Sequence, residues 1–102
     1  MGLFSFLKRL DINEGLKSFK ATEGAVLIDV RTEEEYAERK IEGSINLPLD
    51  EITKITSVVP DKNTPVFLHC RSGKRSGKAQ KILASMGYTK AVNIGGIITY
   101  KG

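Results

Sequence analysis

Cys70 is the residue best suited to covalent chemistry, and it is the only cysteine among the 102 residues of the chain. It ends an apolar run that begins at Val66, and three cations follow it closely: Arg71, Lys74 and Arg75. Neighbouring cations repel one another unless an anion lies between them. Their spacing therefore predicts an anion at this loop, namely the thiolate of Cys70, an incoming ligand, or both.

The loop after Cys70 also has the composition of an anion-binding turn. Gly73 and Gly77 relax the backbone, so that successive N–H groups can turn inward and form a nest. A helix that begins in this segment would add free N–H groups and the positive end of its dipole. Such surroundings lower a cysteine pKa from about 8.5 to about 3.5–7.5, and they would also hold a persulfide sulfur or a sulfonate. A lone cysteine after a buried strand is more often a packed small hydrophobe, but the basic loop favours a reactive or anion-binding role.

Strand-like and helix-like segments alternate around this loop. The runs Ala25–Val30 and Val66–His69 are continuously apolar over most of their length, which is typical of parallel strands buried on both faces. Short strands are expected over 44–47 and 91–94, the latter followed by a turn at Gly95-Gly96. Helices are expected from Asp11, from a Thr32–Glu35 capping box to about Lys40, from Asp50 to Pro60, and through Ala79–Met86 to a stop at Gly87.

This alternation predicts an α/β domain with a mainly parallel sheet and helices on both faces. Cys70 would then lie at the carboxyl end of a strand, where open α/β sheets bind their ligands. Residues 11–102 are expected to form this one domain, and residues 1–10 an N-terminal arm or short helix. The arm would lay Phe4, Phe6 and Leu7 on the domain or, alternatively, on a partner. Its apolar run is too short for a membrane span, and no cleavage site of a signal peptide follows it.

Charge and cysteine content narrow the class of protein further. The chain has 16 Lys and Arg against 12 Asp and Glu, a net charge of +4 that favours anionic ligands. The basic residues do not form a stripe with aromatic residues, so we expect no nucleic-acid partner and no membrane association. A single cysteine permits no disulfide within the chain, which suits a reducing compartment and predicts a cytoplasmic protein.

The loop Cys70–Ser76 resembles the active-site loop of rhodanese sulfurtransferases. The resemblance extends over about residues 11–102, because three further segments match family motifs in the same order. These segments are Leu27–Arg31, Glu34–Tyr36 with Ile41–Pro48, and Asn93–Gly96. The resemblance implies a three-layer α/β/α rhodanese-like domain.

The resemblance also implies a two-step transfer of sulfur. A small anionic donor such as thiosulfate would give its outer sulfur to Cys70, and cyanide, a thiol or a sulfur-accepting protein would remove it. No metal and no organic cofactor are implied. The loop amides would cradle the persulfide, and the basic side chains would orient the donor. The binding residues carried over in this way are Arg71, Ser72, Gly73, Lys74, Arg75 and Ser76.

Several nearby residues keep more than one interpretation. Asp29 and Arg31 could line the pocket, but the favoured alternative is an ion pair that supports the loop, between Arg31 and either Asp29 or a nearby Glu. His69 is expected to be a buried, hydrogen-bonded neighbour and not a general base, because adjacent strand side chains point to opposite faces. Ser72 and Ser76 either donate hydrogen bonds to the sulfur or cap the following helix.

The sequence also departs from the family pattern. Arg39-Lys40-Ile41 stands where the family often has Gly-His-Ile, so no role for that histidine is carried over. Tyr100 stands where the family often has Trp, which we interpret as a packing change.

Three other functions are compatible with parts of the pattern. Phosphatases of similar fold place an Arg six positions after the cysteine, but Ser76 stands there and Arg75 comes one residue early. A binding module could keep the fold without the reaction. A redox-sensing thiol would need a resolving cysteine from a partner, since this chain has no second one.

Overall fold

The computed structural model describes residues 11–102, and the expected N-terminal arm lies outside them. Within residues 11–102, four parallel strands form one sheet: β1, Val26–Asp29; β2, Ser44–Asn46; β3, Val66–Cys70; and β4, Ala91–Gly96. The α-helices of the described part are α1, Ile12–Ala21; α2, Glu33–Glu38; α3, Ile55–Val58; and α4, Lys74–Ser85. The same part of the chain contains two 3-10 helices, Leu49–Lys54 and Ile97–Thr99.

The strands are ordered β2-β1-β3-β4, so the two most apolar strands occupy the centre of the sheet. Ile28 of β1 pairs with Leu68 of β3, and Asp29 pairs with His69 one position later. Every residue of β3 is buried, as its unbroken apolar run predicts for a central parallel strand. The loop after β3 therefore starts from the middle of the sheet.

Helices cover both faces of this sheet. Successive strand residues point to opposite sides, so Leu27 joins a core with α1 residues such as Ile12 and Leu16. Its neighbour Ile28 joins the larger core on the other face, which contains Ala79 and Leu83 of α4 and nine further buried residues of the described part. These are Val30, Leu47, Ile52, Ile55, Val59, Val66, Leu68, Cys70 and Tyr88. The predicted three-layer α/β/α arrangement is confirmed.

Local sequence signals set the starts of α1 and α2. The Asp11 carboxylate accepts a hydrogen bond from the Asn13 N–H at 2.9 Å and caps α1. Thr32 and Glu35 form the predicted capping box, with Glu35 N–H donating to Thr32 Oγ1 at 3.2 Å and Thr32 N–H to Glu35 Oε1 at 2.8 Å. The end of α2 at Glu38 comes before the expected Lys40.

The segment after β2 differs from the expectation. Asp50 does not cap an α-helix, because a 3-10 helix already begins at Leu49, directly after Pro48. The Leu49 N–H donates to the Val30 carbonyl at 3.0 Å, and this bond ties the segment to the end of β1. The α-helical part is only the short α3, which starts at Ile55. The start of this helical segment is thus determined by a tertiary contact to the end of β1, and the predicted start at Asp50 is wrong.

The last strand is also longer than expected. It continues through Gly95 and Gly96, because Gly96 pairs with Cys70 after an irregularity in the β3–β4 register. Gly95 has φ +102°, a left-handed conformation that suits glycine. The described residues contain no helix long and apolar enough to cross a membrane.

Candidate active site

The Cys70 sulfur lies on the floor of the loop between β3 and α4. The residue is 1% exposed, and three groups of the loop point hydrogen-bond donors at the sulfur. The Gly73 N–H lies 3.0 Å from Sγ, the Ser76 N–H 3.4 Å, and the Ser76 hydroxyl 3.5 Å. Donors that converge on a sulfur favour its anionic form.

These contacts determine the acidity of the thiol. Burial raises the pKa of Cys70, but hydrogen bonds from the Ser76 hydroxyl and from the N–H groups of Ser76, Gly73 and Ser72 lower it by more. The net pKa is therefore below that of an ordinary cysteine. The sequence predicts a lowered pKa for Cys70, with part of the shift attributed to the basic side chains. In the structure the pKa is lowered by hydrogen bonds from the loop N–H groups and the Ser76 hydroxyl.

The start of α4 completes a nest of N–H groups. Gly73 precedes the helix with φ +100°, which aims the following amides inward. The first hydrogen bond of the helix runs from the Gly77 N–H to the Gly73 carbonyl at 3.0 Å. The N–H groups of Lys74 and Arg75 therefore have no carbonyl partner within the helix. Two cations in the first turn oppose the helix dipole, an arrangement that an anion in the nest would relieve.

Asn93 of β4 ties the loop to the sheet, a role that no pattern in the sequence indicates. Its amide donates to the Gly73 carbonyl at 2.9 Å, and its Oδ1 accepts from the Ser76 hydroxyl at 2.7 Å and from the Gly95 N–H at 2.9 Å. Asn93 thus holds both ends of the turn that surrounds the sulfur. The Asn93–Gly96 motif was recognised, but the side chain's target lies 17 to 20 residues away in sequence.

Gly96 allows the loop to pack closely against β4. A Cβ at this position would lie 2.0 Å from the Arg71 carbonyl oxygen and 2.5 Å from the Ser72 Cα. The Arg71 carbonyl also accepts a hydrogen bond from the Ile98 N–H at 3.1 Å. Only glycine leaves room for this approach of two backbones.

Arg75 is engaged by a side chain that the sequence prediction did not include. Its Nη1 and Nη2 donate to Glu35 Oε1 and Oε2 at 2.8 Å and 3.0 Å. The sequence places Glu35 in the capping box and in a family motif and predicts no role for it at the site. We expected Arg75 to face a donor anion, but its two terminal nitrogens bind this carboxylate. Arg71, Ser72 and Lys74 are exposed.

The favoured ion pair between Asp29 and Arg31 is present. The carboxylate of Asp29 accepts from Arg31 Nη2 at 2.7 Å and from Nε at 3.0 Å, and both residues are buried. Arg31 also donates to the carbonyls of Glu35 and Arg39, at 3.3 Å and 2.6 Å. The pair therefore fixes the segment that carries Glu35.

His69 lies beneath the site and is fully buried. Its Nδ1 is 3.4 Å from the Cys70 carbonyl oxygen, whereas Nε2 has no hydrogen-bond partner and is 3.8 Å from Asp29 Oδ2. The expected hydrogen-bonded environment is thus only partly formed. Burial lowers the pKa of His69, and the nearby Asp29 opposes that effect without reversing it. Within residues 11–102, no three His, Cys, Asp or Glu side chains form a possible metal site.

Fold and site together define an α/β domain with a buried cysteine in a nest of N–H groups. The model of the rhodanese-like domain family matches residues 13–100, which is most of the chain. The chain therefore belongs to the rhodanese-like domain family.

Similar proteins point to the same class. The chain is 46% identical to "Thiosulfate sulfurtransferase PspE" of Escherichia coli strain K12 over 71 residues, covering 69% of this chain and 68% of that protein. A solved structure described as "rhodanese with anions from E. coli" superposes with a TM-score of 0.70 at 44% identity, covering 72% and 88% of the two chains. The human single-domain sulfurtransferase TSTD1 superposes with a TM-score of 0.73 at 27% identity, covering 92% and 97%. The expected class, an enzyme of the rhodanese sulfurtransferase type, is confirmed.

Proposed function

We propose that this chain transfers sulfane sulfur through a persulfide on Cys70, from a donor such as thiosulfate to cyanide or a thiol. One observation carries the proposal. Three donors from Gly73 and Ser76 converge within 3.5 Å on the sulfur of the only cysteine in the chain. A buried structural cysteine needs no such arrangement, whereas a thiolate or a persulfide does.

The reaction balances without an external oxidant or cofactor. The Cys70 thiolate attacks the outer sulfur of thiosulfate, a new S–S bond forms, and the old S–S bond breaks as sulfite leaves with its electron pair. In the second step cyanide carbon attacks the terminal sulfur of the persulfide. Thiocyanate forms, and the electron pair of the broken S–S bond returns to the Cys70 sulfur as thiolate.

The loop can stabilise each anion along this path. The amides of residues 71–76 would cradle the terminal sulfur of the persulfide, and the N–H groups of Lys74 and Arg75 are free of helix bonds. Arg71 and Lys74 are exposed and can attract the oxygens of the donor. The Asp29–Arg31 pair supports the segment that carries Glu35, the carboxylate bound to Arg75.

In a cell the acceptor would be a small thiol or the cysteine of a sulfur-accepting protein. A reducing compartment such as the cytoplasm keeps Cys70 available as a thiol. The net charge of +4 would help an acidic partner to approach.

The proposal is tested by intact mass spectrometry after treatment with thiosulfate. We expect a gain of one sulfur atom on Cys70, which cyanide removes as thiocyanate. A Cys70→Ser variant should remain folded and show neither the mass gain nor thiocyanate. A wild-type protein that is folded and reduced but gains no sulfur would refute the proposal, leaving a binding module or a carrier loaded only by a partner. Transfer at the wild-type rate by Cys70→Ser would remove Cys70 from the mechanism.

A further inference from the structure

An ion pair joins α2 to the first turn of α4 at the edge of the cysteine loop. Glu35 and Arg75 meet through two parallel hydrogen bonds of 2.8 Å and 3.0 Å. Their side chains are 29% and 32% exposed, so solvent only partly screens the pair. Bidentate pairs of this kind are directional and hold the guanidinium in one orientation.

The carboxylate of Glu35 is held in place from its own helix. Oε1 also accepts from the Thr32 N–H at 2.8 Å and from the Thr32 hydroxyl at 3.1 Å. Arg31 donates to the Glu35 carbonyl at 3.3 Å. Glu35 therefore presents a fixed negative charge to α4. Its carboxylate is held by Thr32 as well as by Arg75.

Arg75, the cation of this pair, lies within electrostatic range of the candidate nucleophile. Arg75 immediately precedes Ser76, whose N–H and hydroxyl contact the Cys70 sulfur. The hydrogen bonds to Glu35 raise the pKa of Arg75, and the Cys70 thiolate raises it further. The hydrogen bond from Arg75 lowers the pKa of Glu35 to about 2, so Glu35 carries a negative charge at neutral pH.

We propose that Glu35 determines donor specificity by offsetting the charge of Arg75, which disfavours dianionic sulfur donors relative to monoanionic ones. The inference rests on the proposed sulfur transfer. Coulomb energy is proportional to the charge of the ligand, so a fixed carboxylate disfavours a dianion about twice as strongly as a monoanion. Relative to thiosulfate, the site should therefore use monoanionic donors, such as thiosulfonates or deprotonated persulfides, better than its cluster of cations suggests.

The test compares two donors that differ by one charge. Thiosulfate is a dianion, and methanethiosulfonate carries the same kind of transferable sulfur as a monoanion. Glu35→Gln removes the charge but keeps an acceptor for the capping box, because Gln is accepted at that position. We expect kcat/KM to rise about fivefold for thiosulfate and about twofold for methanethiosulfonate, through KM and not through kcat. Added salt should shrink the difference.

Glu34→Gln is the matched control. Glu34 lies beside Glu35 on α2, is exposed, and forms no ion pair with any residue of 11–102. This variant makes the same change in net charge, and it should leave the ratio of the two donors unchanged. Thermal unfolding of both variants shows whether they are folded.

Arg75→Gln provides a second test that does not depend on Glu35→Gln being stable. It leaves the Glu35 carboxylate without its cation, so kcat/KM should fall more for thiosulfate than for methanethiosulfonate. An unchanged donor ratio in folded Glu35→Gln, or a rise in its KM for thiosulfate, would overturn the inference and leave the sulfur transfer itself standing. A wild-type protein that takes sulfur from neither donor would instead refute the proposed function.

Discussion

At the scale of single residues, the acidity of Cys70 depends on short contacts more than on the charges nearby. The Ser76 hydroxyl is 3.5 Å from the sulfur and 2.7 Å from Asn93 Oδ1. A hydroxyl has only one hydrogen, so these two acceptors compete for it. The Ser76 side chain is buried and faces the sulfur, which favours the sulfur-donating alternative over helix capping.

Ser76→Ala should raise the pKa of the Cys70 thiol, because it removes the strongest of the hydrogen bonds that lower this pKa. The measurement is the rate of alkylation by iodoacetamide as a function of pH. Ser72→Ala is the control, since Ser72 is exposed and acts on the sulfur through its backbone N–H. An unchanged profile for Ser76→Ala would mean that the hydroxyl hydrogen stays on Asn93.

Arg75→Ala should weaken the use of anionic donors. The change removes a cation and leaves Glu35 with an uncompensated carboxylate beside the loop. We expect KM for thiosulfate to rise about tenfold, because the donor loses the attraction of a cation and meets an unpaired carboxylate. Steady-state kinetics over a range of thiosulfate concentrations measure it. The same dependence on concentration as in the wild type would exclude a role for Arg75 in donor binding.

At the scale of secondary structure elements, β4 acts as the support for the loop between β3 and α4. Asn93 binds the loop through its side chain, and Gly96 admits the loop backbone to close contact. The loop therefore depends on a strand that follows it by about twenty residues, and this explains why its shape cannot be read from residues 70–77 alone.

Gly96→Ala should displace the loop, because a methyl group would lie 2.0 Å from the Arg71 carbonyl oxygen. The φ of Gly96 is −130°, which any residue adopts, so the effect is purely steric. We expect a loss of about 1–3 kcal/mol in the free energy of unfolding and a greater loss of sulfur transfer.

Gly77→Ala is the matched control for this prediction. It lies within α4, and its added methyl would meet only the Asn93 amide nitrogen at an ordinary 3.4 Å. Ala is the better helix former by about 1 kcal/mol, so this variant should be more stable than the wild type. Urea unfolding compares both variants, and equal effects at the two positions would contradict the steric explanation.

At the scale of the whole molecule, a buried histidine makes stability depend on pH. His69 is fully buried at the centre of the sheet, with Asp29 and Arg31 as its charged neighbours. Burial holds its pKa below the ordinary value of 6.5, so the unfolded chain binds a proton that the folded chain does not. The contribution of neutral His69 to the free energy of unfolding is therefore fully present above about pH 6.5. It is lost progressively as the pH falls below that value.

His69→Gln should remove this part of the pH dependence. We expect the wild type to lose more of its free energy of unfolding than the variant between about pH 7.5 and about pH 5, even if the variant is less stable throughout. The depressed pKa of Glu35, about 2 against 4.5, affects stability only at lower pH and does not enter this window. Parallel losses in the two proteins would assign the acid sensitivity to other groups.

The sequence by itself determined the features that depend on neighbours along the chain. Continuous apolar runs identified β1 and β3, the Thr32–Glu35 box gave the start of α2, and the basic loop identified Cys70 as the candidate nucleophile. Each of these signals reflects burial, capping or charge within a few residues.

The tertiary structure alone decided the contacts between distant segments. It paired Arg75 with Glu35, 40 positions away, and brought Asn93 and Gly96 against the loop. It also moved the start of a helix from Asp50 to Leu49, through a hydrogen bond to the end of β1. Such partners are chosen by the order of strands and the packing of helices, which no local pattern encodes. The sequence thus predicted a lowered pKa for Cys70. The tertiary structure identified the hydrogen bonds that lower it and the Glu35 carboxylate that binds Arg75.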